Sequence, residues 1–221
     1  MNAFPNRVPA TGVYRAGDAG ERIAGGSAKE TIYSGKGNDT IDAGAGLDTV
    51  VYSGNRAQFT IAKATGGFTV SGPEGSDTLA QVERVKFGDL SIALDIDGVA
   101  GQAYRVYEAA FNRTPDNGGL GYWIAAMDKG ATLAQIAVGF VQSDEFKSKF
   151  AGKSNADIVN EFYSNILNRA GEPAGTAWWI EQLNAGNATL AEVLVGFSEA
   201  AENKANLVGV TQNGIAFTPW G

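Results

Sequence analysis

Between residues 16 and 51 the apolar positions recur every ninth residue. Four blocks run without a gap, AGDAGERIA, GGSAKETIY, SGKGNDTID and AGAGLDTVV. Each carries an aliphatic residue at its eighth place (Ile23, Ile32, Ile41, Val50) and an acid at its sixth (Glu21, Glu30, Asp39, Asp48). A glycine-rich turn followed by a three-residue strand cannot bury its one aliphatic side chain alone, whereas stacked copies bury a column of them. The spacing predicts a short two-sided coil. Glycine at the second and fourth places (Gly35, Gly37, Gly44, Gly46) lets the turn take positive φ and leaves carbonyls pointing inward. The sixth-place acid faces the same hollow.

Beyond Val51 and Tyr52 the period shortens to two. In AQFTIAKATGGFTVSG, Phe59 and Ile61 alternate with polar residues, Gly66 and Gly67 supply a turn, and Phe68 and Val70 alternate on the return, the pattern of a hairpin. GPEGSDTL, VERVKF and LSIAL follow, where Val82, Val85, Phe87, Ile92 and Leu94 suffice to cap the end of a repeat stack with further strands. Asp77 reads either as the acid of a late turn of the same kind or as an ordinary turn carboxylate bonding its own backbone. Residues 1–15, with Pro5 and Pro9 and no period, read as a loose lead-in, with Tyr14 placed to cover the open end.

From residue 100 the period becomes helical. Ala103, Val106, Tyr107, Ala110 and Phe111 form one face, and Val159, Phe162, Tyr163, Ile166 and Leu167 repeat it position for position. Asn112-Arg113 matches Asn168-Arg169, Tyr122-Trp123-Ile124 matches Trp178-Trp179-Ile180, Met127 matches Leu183, and TLAQIAVGF (132–140) matches TLAEVLVGF (189–197). Thr132 with Gln135 and Thr189 with Glu192 read as capping boxes. Further helices are expected over 144–150 and 198–207. Arg113 and Asp116 read as turn tie and helix cap before they read as a ligand-binding pair. The paired aromatics read as core anchors, with one of each pair exposed, before they read as sugar-stacking platforms. LDIDG lacks the third acid and distal Glu of an EF-hand, which leaves Asp97 as a helix start or domain junction.

Composition narrows the chemistry. The 221 residues include no Cys and no His, which excludes disulfide staples, thiolate metal sites, Ser-His-Asp and Cys-His catalysis and HExxH zinc sites. A net charge of −7 argues against a nucleic-acid partner. No stretch approaches the ~18 apolar residues of a membrane span, and MNAFPNRVPATG does not read as a secretory signal peptide.

The four blocks resemble the RTX calcium-binding nonapeptide GGxGxDxUx, matching it in register, glycine, acid and aliphatic together. The resemblance implies a parallel β-roll with Ca2+ held between turns two repeats apart, Glu21 and Asp39 on one side and Glu30 and Asp48 on the other. Glu21, Glu30, Gly35, Gly37, Asp39, Gly44, Gly46 and Asp48 are then the candidate metal residues, with Asp77 added by a late turn. The first two blocks depart from the motif, with Glu for Asp and with Ala19 and Ala28 at the fourth place, so both inferred sites are half degenerate. The resemblance also implies type I export through an uncleaved C-terminal signal, for which residues 208–221 are the candidate; the competing reading is a strand or arm packed on the helices. YRVYEAAFNRTPDNGGLGYWI and GATLAQIAVGFVQSDEF resemble a helical family of unknown function found beside RTX-like repeats, and more distantly phycobilisome-linker domains. NRAGEP and SEAAEN depart from that pattern in the second copy.

The expected architecture is α+β in two segregated parts: a short parallel β-roll with a β cap over 16–98, then an all-α duplicated helical bundle over 99–207. The expected function is a non-enzymatic, secreted Ca2+-binding module whose roll folds on calcium outside the cell and whose helices contact a surface, a matrix or a sister molecule. The alternatives are a carbohydrate-binding module for extracellular polysaccharide, or the non-catalytic C-terminal part of a larger secreted enzyme or adhesin.

Overall fold

Each nine-residue block supplies one strand, and successive blocks feed opposite sheets. In the computed structural model, which describes residues 5–167 and 170–220, β3 (Arg22–Gly26) pairs in parallel with β5 (Thr40–Gly44), and β4 (Thr31–Tyr33) pairs in parallel with β6 (Thr49–Val51). Ile23 therefore lies beside Ile41 and Ile32 beside Val50. All four belong to one apolar core, with Ile32, Ile41 and Val50 fully buried. The ninefold spacing thus places every aliphatic side chain next to its second neighbour along the chain.

The chain forms two units, one holding the residues up to Ile96 together with Val210–Trp220 and the other Asp97–Gly209. Asp97 falls at that junction. In the first unit β7 (Thr60–Ala64) and β8 (Gly67–Gly72) make the hairpin that the period-two pattern predicts, with Ile61 opposite Val70. After it, β9 (Gly75–Ala80) returns beside β5 and β10 (Arg84–Lys86) beside β6, both in parallel, while β11 (Ser91–Ala93) runs antiparallel to β10. Tyr52, Phe59 and Phe87 pack their rings together at 4.9–5.5 Å beneath these strands.

Two segments differ from expectation. The lead-in is not loose: β1 (Asn6–Arg7) and β2 (Val13–Arg15) extend the stack, pairing in parallel with β3 and β4. Tyr14 comes into register with Ile32, so the chain enters the coil before its glycines become periodic. The tail supplies β12 (Ile215–Phe217), antiparallel to β11, with Ile215 and Phe217 buried. Ile215 and Phe217 thus pack as part of a sheet edge. The finished sheets run β1-β3-β5-β9-β8-β7 and β12-β11-β10-β6-β4-β2.

Among the described residues eight helices follow β11: α1 (Val99–Phe111), α2 (Asn117–Asp128), α3 (Leu133–Gln142), α4 (Asp144–Phe150), α5 (Asn155–Leu167), α6 (Pro173–Ala185), α7 (Leu190–Ser198) and α8 (Ala201–Thr211). The predicted face of α1 is buried, as are Val159, Phe162 and Ile166 on α5. The side chain of Leu167 and the Asn168-Arg169 match lie outside the described residues. Both capping boxes form: Thr132 accepts from the Gln135 N–H and Thr189 from the Glu192 N–H, each at 3.2 Å. Thr132→Ala and Thr189→Ala are each expected to cost about 1 kcal/mol, read as a lowered urea midpoint of the helical signal. The matched helices are not equally covered. Where α2 buries Leu120, Gly121, Ile124 and Met127, α6 fully buries none of its residues.

Candidate metal centre

Backbone N–H groups string the sixth-place acids into two columns. Glu21 donates its N–H to Asp39 Oδ1 at 2.7 Å, and Asp39 in turn donates to Asp77 Oδ1 at 2.8 Å. On the other side Glu30 donates to Asp48 Oδ1 at 2.7 Å, and Asp48 to Glu83 Oε2 at 2.8 Å. The structure therefore brings together Glu21, Asp39 and Asp77 in one column and Glu30, Asp48 and Glu83 in the other.

Glu83 is the residue that the nine-residue ruler misses. Its signal is in the chain nonetheless, because ERV at 83–85 has the acid-x-aliphatic form of ERI at 21–23. The hairpin inserted after β6 breaks the spacing but not the stacking. Among the candidate glycines, Gly35, Gly37, Gly44 and Gly46 all have positive φ. The turns also touch: a Cβ on Gly44 would stand 2.3 Å from the Gly26 carbonyl oxygen, so glycine is required there by space as well as by φ.

The columns end differently. Glu21 is saturated, its Oε1 accepting from the Gly17 N–H at 2.7 Å and its Oε2 from the Tyr14 hydroxyl and Asn6 Nδ2 at 2.6 Å each. The Tyr14 bond holds the Glu21 carboxyl below its ordinary range, while burial and then that bond push the Tyr14 phenol up to about 12. Asp77 Oδ2 accepts from the Tyr52 hydroxyl at 2.8 Å. By contrast Glu30 Oε2, Asp39 Oδ2 and Asp48 Oδ2 are buried without a protein donor.

An unsatisfied buried carboxylate oxygen is costly, and the titration of Asp39 and Asp48 reflects it. Burial, with the charges of Asp77 and Glu21, pushes Asp39 up to about 6 against the opposing bond from the Glu21 N–H. Burial also raises Asp48, and so does the neighbouring Glu30 carboxyl, with which it can bond only by holding a proton. Asp77 is raised by burial.

These donors fit a hard, oxygen-seeking cation. Among the described residues no group of three acids is placed to hold a metal ion. A Ca2+ shell of about six to eight oxygens would therefore draw on backbone carbonyls and water as well as carboxylates.

A carboxyl whose folded value lies above its unfolded one binds more protons when folded, so its contribution to stability falls as pH rises. For Asp39 the window runs from 3.8 to about 6. In chelator, Asp39→Asn keeps the acceptor for the Glu21 N–H and removes the charge. Its stability relative to the parent is expected to improve from pH 4.5 to 7, measured as the difference in urea midpoints; a difference independent of pH would contradict this account.

The candidate residues of the helical unit have structural partners. Asp116 caps α2, accepting from the Gly119 N–H at 2.7 Å, and Arg113 makes a two-pronged bond to Glu145, both contacts at 3.0 Å. Trp123 stacks on Phe140 at 4.8 Å, and Trp179 lies 5.8 Å from Phe197. Their neighbours Tyr122 and Trp178 are 44% and 52% exposed. Residues 102–150 and 145–207 match the family model of a domain of unknown function, DUF4214. The first DUF4214 match runs from within α1 to the end of α4 and the second from within α4 through most of α8, and together they take in every aromatic pair just described. No curated protein matches the chain.

Proposed function

We propose that the chain is a non-enzymatic calcium-binding module of the RTX kind, exported and completed by Ca2+ outside the cell. The observation that supports it is the pair of acidic columns in which Glu30 Oε2, Asp39 Oδ2 and Asp48 Oδ2 are buried without a donor. Calcium would supply the charge those oxygens lack. Because the unfolded chain does not hold the acids together, binding free energy becomes folding free energy. The β unit then corresponds to a short parallel β-roll with a β cap. Residues 208–221 remain the proposed export address, read before β12 joins its sheet.

The helices are proposed to be two copies of one unit, α1–α4 and α5–α8, which the paired capping boxes and the two DUF4214 matches support. Their role in this reading is attachment to a surface, a matrix or a sister molecule. A carbohydrate-binding role is the second reading, favoured by the exposed rings of Tyr122 and Trp178.

Isothermal titration of chelator-stripped protein tests the first reading. Saturable heat with Ca2+ at millimolar or lower concentration, and much weaker heat with Mg2+, is expected, since Mg2+ demands near-octahedral geometry and sheds water reluctantly. Absence of saturable Ca2+ binding would refute it.

A further inference from the structure

We infer that the two columns are not equivalent: a single cation is held by Glu30 and Asp48, while Glu21, Asp39 and Asp77 form a metal-independent spine closed by Tyr14, Asn6 and Tyr52. The inference rests on the calcium reading above and narrows it to one side of the coil.

In the first column every carboxylate oxygen of the two outer acids accepts a bond. Glu21 is held by Gly17, Tyr14 and Asn6, and Asp77 by the Asp39 N–H and the Tyr52 hydroxyl. One orphaned oxygen remains, Asp39 Oδ2, and its neighbours above and below are already committed. A cation there would compete with three side-chain donors that hold the ends of the column.

The second column presents two orphaned oxygens on consecutive acids, Glu30 Oε2 and Asp48 Oδ2, on residues only 5% and 0% exposed. Asp48 Oδ1 is fixed by the Glu30 N–H, which turns its other oxygen into the unsatisfied position. Two buried, adjacent, unsatisfied carboxylates are what a divalent ion compensates, and a lone one is not. The sequence alone ranks neither column above the other, because each pairs one Glu with one Asp inside the four blocks. The difference comes from residues outside the blocks.

The test uses the intact wild-type chain, nitrogen-15 labelled, titrated from chelator into calcium. The expected result is one equivalent bound, with amide shifts concentrated on residues 25–30 and 43–48 and little change on 16–21 and 34–39. Glu30→Gln and Asp48→Asn should each weaken calcium binding about tenfold or more, roughly a loss of 1.4 kcal/mol or greater, and Asp39→Asn much less. Two equivalents, shifts centred on residues 16–21 and 34–39, or an Asp39→Asn loss equal to that of Asp48→Asn would overturn the assignment while leaving the calcium reading intact. Failure of the wild type to bind calcium would overturn both. Should a variant fail to fold, the wild-type stoichiometry and shifts still decide the matter.

Discussion

Phe162→Ala is expected to destabilise the helical unit by about 3–5 kcal/mol. Phe162 is fully buried on α5, and its ring lies 6.4 Å from Phe146, 5.8 Å from Phe150 and 5.6 Å from Phe197. It therefore ties α5 to both α4 and α7. Removing it deletes transfer energy and leaves a void bounded by three rings, two held on α4 and one on α7, so collapse into the void is limited. Urea denaturation followed by helical circular dichroism measures the loss. A change below about 1 kcal/mol would mean that the rings repack and that the aromatic cluster is not the anchor of this unit.

Phe162 also shows what was legible in the sequence. Helical periodicity placed it, with Val159 and Ile166, on one buried face, because i, i+3, i+4 and i+7 spacing is a direct image of the helix. The capping boxes were equally plain, since both partners lie within three residues of each other. Ile23, Ile32, Ile41 and Val50 were visible for the same reason: their spacing is the period of the coil itself.

The rest of the fold depends on contacts between distant parts of the chain, which the repeat period does not encode. β1 and β2 lack the periodic glycines, yet they pair with β3 and β4 because the coil offers an open edge. β12 is separated by the whole helical stretch from β11, the strand it joins. Glu83 is displaced from the nine-residue ruler by an inserted hairpin. The saturation of Glu21 by Asn6 and Tyr14 is a side-chain event at the end of a column, where a repeat reads the same as in its middle. α6 departs in the other direction, since a sequence that matches α2 does not secure the same burial.

The second large effect concerns calcium. A ligand that binds the folded state alone stabilises it by RT ln(1 + [L]/Kd), about 4 kcal/mol at a thousandfold excess over Kd. That is a large share of the roughly 5–15 kcal/mol that holds a typical domain together. In the β unit the gain should be local, because the orphaned oxygens of Glu30 and Asp48 sit beside β4 and β6, whereas Glu21 and Asp77 in the other column already have their donors. Acidification acts on the same groups by another route. Burial raises the Asp48 carboxyl to about 7, so protons relieve it as pH falls and calcium should matter less at mildly acidic pH than at neutral pH.

Hydrogen exchange over residues 26–51 of the full chain, read by mass spectrometry at pH 7 in chelator and in millimolar Ca2+, tests this most directly. Calcium is expected to slow exchange strongly across that stretch while leaving the peptides of α1, α3 and α5 unchanged. Superimposable exchange in the two conditions would contradict a calcium-completed β unit.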